Sequence, residues 1–126
     1  MNRKVELRGH VFSGIGEGRI YVTKNPYHSL FRALLEGAPF PGTLNVILEK
    51  PWYLLFSFPH VYRPRGFGAI RYTLGYIDNV GKIVVLRPDK TRHPDDVVEI
   101  VSRYNLRELL GLKDGSIMEF YIYADR

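Results

Sequence analysis

The stretch Val5-Glu6-Leu7-Arg8-Gly9-His10-Val11-Phe12-Ser13-Gly14-Ile15-Gly16-Glu17-Gly18 alternates and then breaks. Val5, Leu7 and Val11 are spaced for one face of a β-strand over residues 5–12. The serine and three glycines that follow interrupt it, and residues 19–23, rich in β-formers, predict that a strand resumes. Three glycines in five positions allow positive φ and close backbone approach, so consecutive N–H groups could cup a phosphate. The spacing is not that of a dinucleotide-binding turn, and no Gly-Lys-Ser/Thr follows to make a P-loop. An irregular hairpin turn or bulge accounts for the same glycines.

Outward from this stretch the chain reads as short strands with single helices between them. Asn25 before Pro26 predicts a helix over residues 26–36, with Leu30, Phe31, Leu34 and Leu35 on its apolar stripe and Gly37 as its stop. A rigid turn at residues 39–42 leads into a strand over 43–48. Thr43 and Asn45, two apart, share one side of that strand. A hydroxyl and an amide oxygen suit a hard cation such as Mg²⁺, and serve equally to bond a sugar or a neighbouring backbone. Residues 51–64, aromatic and broken by proline, carry no clear assignment. Residues 67–77 and 82–86 predict two strands joined by a turn at 78–81, followed by a polar loop over 87–93. Pro94, with Asp95 and Asp96 in a first turn, predicts a helix over 94–102 packed through Val97, Val98 and Val101, with Glu99 near the face of the two aspartates. Asn105 and Glu108 have capping-box spacing for a helix over 105–110 stopped by Gly111, and a turn at 113–115 opens a last strand over 116–123. Six or seven strands with two or three short helices predict a mainly β fold, a small closed barrel with helical excursions.

Composition narrows the function classes. The 126 residues suit one domain, and no cysteine is present, which removes disulfides, Cys-ligated zinc, iron–sulfur clusters and thiol nucleophiles. No apolar run approaches the roughly 18 residues of a membrane span, and no secretory apolar core follows the first residues, so a soluble cytoplasmic protein is expected. The formal charge is +5. Arg63, Arg65, Arg71, Lys82, Arg87, Lys90 and Arg92 stand against Asp78 and Asp89 in the middle of the chain. This excess favours anionic partners, although a solvated basic face has the same signature. The four histidines show no metal-ligand spacing, and no Ser/His/Asp triad follows from their order.

Four segments together carry a resemblance: residues 7–19, Pro41-Gly42-Thr43-Leu44-Asn45, Arg87-Pro88-Asp89-Lys90-Thr91-Arg92-His93, and Asn105-Leu106-Arg107 followed by Leu112-Lys113-Asp114-Gly115. In this order and spacing the chain resembles the archaeal CTP-dependent riboflavin kinase family, over nearly its whole length. The resemblance implies a single-domain cradle-loop barrel, residues 1–126, without the N-terminal helix-turn-helix domain of some relatives. It implies transfer of the γ-phosphoryl of CTP to the ribityl 5′-hydroxyl of riboflavin, giving FMN and CDP. By matching position, Gly14, Ile15, Gly16, Glu17, Gly18 and Arg19 would hold the nucleotide phosphates, and Thr43 and Asn45 would hold Mg²⁺. Thr91 and Glu99 would contact the flavin, Glu99 also being the candidate to accept the hydroxyl proton or orient it, and Tyr104, Asn105, Leu106 and Arg107 would bind the cytosine end. Membrane and nucleic acid have no part in that reading. The alternatives are a small basic β-barrel that binds nucleic acid, and a flavin or nucleotide sensor without turnover.

Overall fold

In the computed structural model, which describes residues 3–14 and 17–124, the alternation that opens the chain becomes β1 (Arg3–Phe12), with Val5, Leu7 and Val11 buried. The strands that follow are β2 (Leu44–Leu48), β3 (His60–Tyr62), β4 (Ile70–Ile77), β5 (Gly81–Pro88), β6 (Val97–Val101) and β7 (Ile117–Ala124). All pairings are antiparallel, in the order β3-β4-β5-β6-β2-β1-β7. A further β4–β7 pairing closes six of these strands into a barrel and leaves β3 as an extra strand on β4.

Apolar side chains pack in two places. Inside the barrel lie Val5, Leu7, Val46, Leu48, Ile83, Val85, Val98, Ile100 and Ile122. Outside it, α1 (Glu17–Thr23) and α2 (Tyr27–Leu35) set Val22, Tyr27, Phe31 and Leu35 against Ile70, Val84, Leu86 and Val101. Alternate residues of β5 therefore face different cores, and the middle of the strand is buried on both sides.

That arrangement overturns two expectations. Residues 94–102 do not form a helix; the segment contains strand β6, all five of whose residues are buried. A strand covered on both faces loses its polar–apolar alternation, and Val97, Val98 and Val101 then imitate a helical stripe. Four of the five residues are β-branched, which suits a strand better than a helix. Residues 19–23 do not resume a strand; they belong to α1, whose Val22 is fully buried and whose Thr23 hydroxyl donates to the Arg19 carbonyl at 2.7 Å. Packing of Val22 outweighs the local β-propensity.

Smaller differences concern helix ends. The N-cap of α2 is Pro26 without a side-chain cap, while Asn25 accepts the Ser29 hydroxyl at 2.8 Å. Its left-handed C-cap is Glu36, one residue before the expected glycine stop, and Gly37 N–H donates to Arg32 O at 3.1 Å. The unassigned aromatic stretch holds α3 (Trp52–Leu55) and β3, with Trp52, Phe56 and Phe58 packed on the barrel core. The last helix, α4 (Leu106–Leu110), is capped as expected: Asn105 Oδ1 accepts the Glu108 N–H, and Gly111 takes the left-handed position. No described helix is long and apolar enough to cross a membrane.

Candidate active site

Two strands far apart in sequence, β2 and β6, make the floor of the site. In the β2–β6 ladder Asn45 stands opposite Glu99, and in the β1–β2 ladder Asn45 stands opposite Phe12. Thr43, just before β2, donates its hydroxyl to Glu99 Oε1 at 2.9 Å. Asn45 and Glu99 are 8% and 6% exposed, so an amide and a carboxylate lie at the bottom of the site instead of in bulk water. A buried carboxylate requires hydrogen-bond partners, and Thr43 supplies one.

Gly14 and Gly18 close over this floor. A Cβ at Gly14 would fall on the Asn45 side-chain amide, and a Cβ at Gly18 would fall on the Thr43 hydroxyl. Neither glycine has positive φ. Close approach is therefore the reason for glycine at both positions, and the expected left-handed backbone is not. The resulting cavity, about 250 Å³, brings together Gly14, Gly18, Arg19, Thr43, Asn45, Thr91, Glu99 and Arg107. Those are eight residues that the sequence reading had taken from five separate segments. Ile15 and Gly16 lie outside the described residues, and Glu17 opens α1.

The β5–β6 connection supplies another part of the lining, through Lys90, Thr91 and His93. Thr91 Oγ1 accepts the His93 N–H at 3.2 Å, and the His93 ring meets Phe12 edge-on at 5.7 Å. At the other rim Asp114 accepts the Ser13 hydroxyl at 2.9 Å and Arg107 Nη2 at 2.8 Å. The Ser13 hydroxyl, and next the Arg107 guanidinium, hold the Asp114 carboxyl below its ordinary value. A second cavity, about 80 Å³, adjoins the first and is lined by Phe40, Tyr104, Asn105, Leu106 and Arg107. Gly42, Thr43 and Arg107 border both cavities.

Sequence reasoning missed Tyr21, Lys90 and His93 as lining residues. Lys90 and His93 stand in the polar loop already singled out, so their position was the available signal. Tyr21 gave none, because its segment was expected to be a strand.

Among the described residues no three of His, Cys, Asp or Glu cluster as a metal site. The Thr43 hydroxyl, the Asn45 amide and the Glu99 carboxylate nevertheless form a set of hard oxygen donors around one cavity. With its proton committed to Glu99, the Thr43 oxygen keeps its lone pairs for a cation. This donor chemistry fits Mg²⁺, which takes few protein ligands and keeps water or phosphate oxygens for the rest.

The family model CTP-dep_RFKase, described as "Domain of unknown function DUF120", matches residues 11–122. The riboflavin kinase of Pyrobaculum islandicum is 34% identical over 131 residues, covering 96% of this chain and 62% of the relative. The riboflavin kinase of Saccharolobus solfataricus is 34% identical, covering 95% and 75%. That of Sulfolobus acidocaldarius is 36% identical, covering 97% and 84%. The chain thus spans less than two thirds of the Pyrobaculum relative and most of the other two.

Proposed function

This chain belongs to the riboflavin kinase family that the CTP-dep_RFKase model describes, and on that premise we propose that it transfers the γ-phosphoryl of CTP to the ribityl 5′-hydroxyl of riboflavin. The observation that carries the reading is the convergence of the glycine-rich segment, Thr43, Asn45 and Glu99 on one cavity.

Phosphoryl transfer asks the protein for positioning and charge neutralisation more than for covalent chemistry. The segment 14–19 cradles the nucleotide phosphates with backbone N–H groups, and Arg19, Lys90 and Arg107 around the cavity offset their charge. Thr43 and Asn45 hold Mg²⁺, which supplies further neutralisation of the phosphate oxygens when bound. Thr91 and Glu99 meet the ribityl end of the flavin. The 5′-oxygen forms its bond to the γ-phosphorus as the bond to the CDP oxygen breaks, and the hydroxyl proton passes to the Glu99 carboxylate. Tyr104, Asn105, Leu106 and Arg107 line the small adjoining cavity, where backbone groups can read the cytosine edge. Cytosine offers an amine donor where uracil offers an acceptor, so UTP leaves that edge mispaired. Soluble substrates of this kind suit a cytoplasmic enzyme.

The test is incubation of the chain with riboflavin, Mg²⁺ and each of CTP, UTP, ATP and GTP, with FMN resolved by chromatography. FMN is expected chiefly with CTP, with at least about tenfold preference over UTP, the size of one mispaired hydrogen bond. Equal use of both pyrimidines would remove the cytosine assignment. Folded protein that binds flavin or nucleotide without forming FMN is a sensor instead of a kinase.

A further inference from the structure

Arg87 is a cation that this chemistry does not use, and its surroundings are not those of a solvated arginine. It stands on β5, one residue after Leu86, which pairs with Glu99 on β6. Its side chain is 11% exposed and borders neither cavity. Nη1 donates to the carbonyl oxygens of Pro94 at 2.8 Å and Val97 at 2.6 Å, and Nη2 donates to that of His93 at 3.4 Å. Asp95 approaches Nη2 at 3.6 Å.

The segment these carbonyls belong to joins β5 to β6 and carries Lys90, Thr91 and His93 on the cavity wall. Apart from the Val97 N–H, which also donates to Pro94 O at 3.1 Å, two outside holders take its backbone acceptors. The carbonyls of Asp95 and Asp96 take the N–H groups of Trp52 and Leu48, on the side of the 48–52 segment. Those of His93, Pro94 and Val97 take Arg87. Removing the guanidinium would leave these carbonyls without that donor, and Val97 O is part-buried beside it. The chain of contact continues through His93, whose ring meets Phe12, and Phe12 is the last residue of β1 before Ser13 and Gly14.

We propose that Arg87 is a positioning residue for phosphoryl transfer, one that touches no substrate but fixes the 93–97 segment. By doing so it holds Thr91, His93 and Glu99 at the spacing that the reacting hydroxyl and the phosphates require. The inference rests on the kinase reading above. Only a planar fork of donors spans three carbonyls in this way; a lysine ammonium is a single point that reaches one or two of them.

The test uses the full chain carrying Arg87→Lys or Arg87→Ala. In Arg87→Lys, kcat is expected to fall about tenfold or more while KM for CTP stays within about threefold, because misplacement costs the transition state more than ground-state binding. Low-millimolar guanidinium is expected to restore part of the rate of Arg87→Ala, and ammonium at the same concentration is not. Amide hydrogen exchange at residues 91–97 is expected to quicken in both variants, with β1 and β7 unchanged. Unaltered kcat in Arg87→Lys overturns the proposal, as does a loss that only tracks the unfolded fraction and ignores guanidinium. Failure of the kinase reading looks different: the unsubstituted chain would then form no FMN, whatever the exchange pattern of the variants.

Discussion

Thr43 answers to two neighbours at once: its hydroxyl donates to Glu99, and the backbone of Gly18 lies directly against it. A methyl added at Gly18 would fall on Oγ1 and lie 2.8 Å from both Cβ and Cγ2 of Thr43. A β-branched side chain has no flexible end to withdraw, so the start of α1 must move instead. Such movement separates the glycine-rich segment from the floor of the cavity and disturbs the packing of Val22. Gly18→Ala should therefore lower kcat/KM for CTP at least about tenfold and destabilise the fold by about 1–3 kcal/mol, the usual cost of overpacking. Steady-state kinetics beside a thermal melt checks both, and an unchanged kcat/KM would mean the contact is dispensable. The sequence shows that this position is glycine, and that Thr43 and Asn45 share a face. It does not show that the glycine packs on the threonine, because that contact is made between segments 25 residues apart in sequence.

Strands were legible wherever one face meets solvent. β1 and β7 alternate along most of their length, and the turn residues of α4 place its ends within a residue. β6 was illegible for the opposite reason: Val98 and Ile100 pack in the barrel core, while on the other face Val101 packs in the outer cluster and Glu99 lines the cavity, so all five residues are buried. Reading it as a helix also concealed the Asn45–Glu99 pairing, and so concealed why Glu99 belongs to the site. The ends of three further elements meet at Asp114, in the turn before β7. It accepts Ser13 beyond β1 and Arg107 on α4. Its carboxyl is held below the ordinary value by Ser13 and then by Arg107, so the sign of the pH effect follows. A depressed folded pKa gives stability that is fully present above the unfolded aspartate value of about 3.9 and lost as pH falls through the lower folded value. Glu36, held down by Lys82, contributes with the same sign, so the Asp114 share needs a paired variant. Asp114→Asn should unfold at lower urea than the unsubstituted chain at pH 6, and the difference should shrink towards pH 3. A difference that persists undiminished at pH 3 would show that charge at this turn is irrelevant.

The site needs both halves of the barrel. One half, β4-β5-β6, carries Glu99 and the Thr91 wall; the other, β7-β1-β2, carries the glycine-rich segment and Asn45. They join on one side through the β2–β6 ladder and on the other through β4–β7, where two pairs are in register against eight in β1–β7. No local pattern in the sequence announces so short a seam, because it depends on how far six twisted strands curl. Gly75 is the residue that permits it: a Cβ there would lie 2.5 Å from Tyr121 O, 3.1 Å from Ile122 Cγ2 and 3.2 Å from Ile83 Cγ1. Beside it, the fully buried Thr73 donates its hydroxyl to Tyr123 O at 2.7 Å. The nearest obstacle is backbone, which cannot swing aside as a side-chain tip does. Gly75→Ala should therefore cost about 1–3 kcal/mol, read as a lower urea midpoint. The β2–β6 ladder that aligns Asn45 with Glu99 is on the far side of the barrel from this seam, so the folded variant should keep KM for CTP within about twofold. An unchanged midpoint would show that the seam accepts a methyl group. Unfolding in two steps would show the halves to be separately stable, whereas a single transition with an unchanged slope is what a barrel closed by this seam requires.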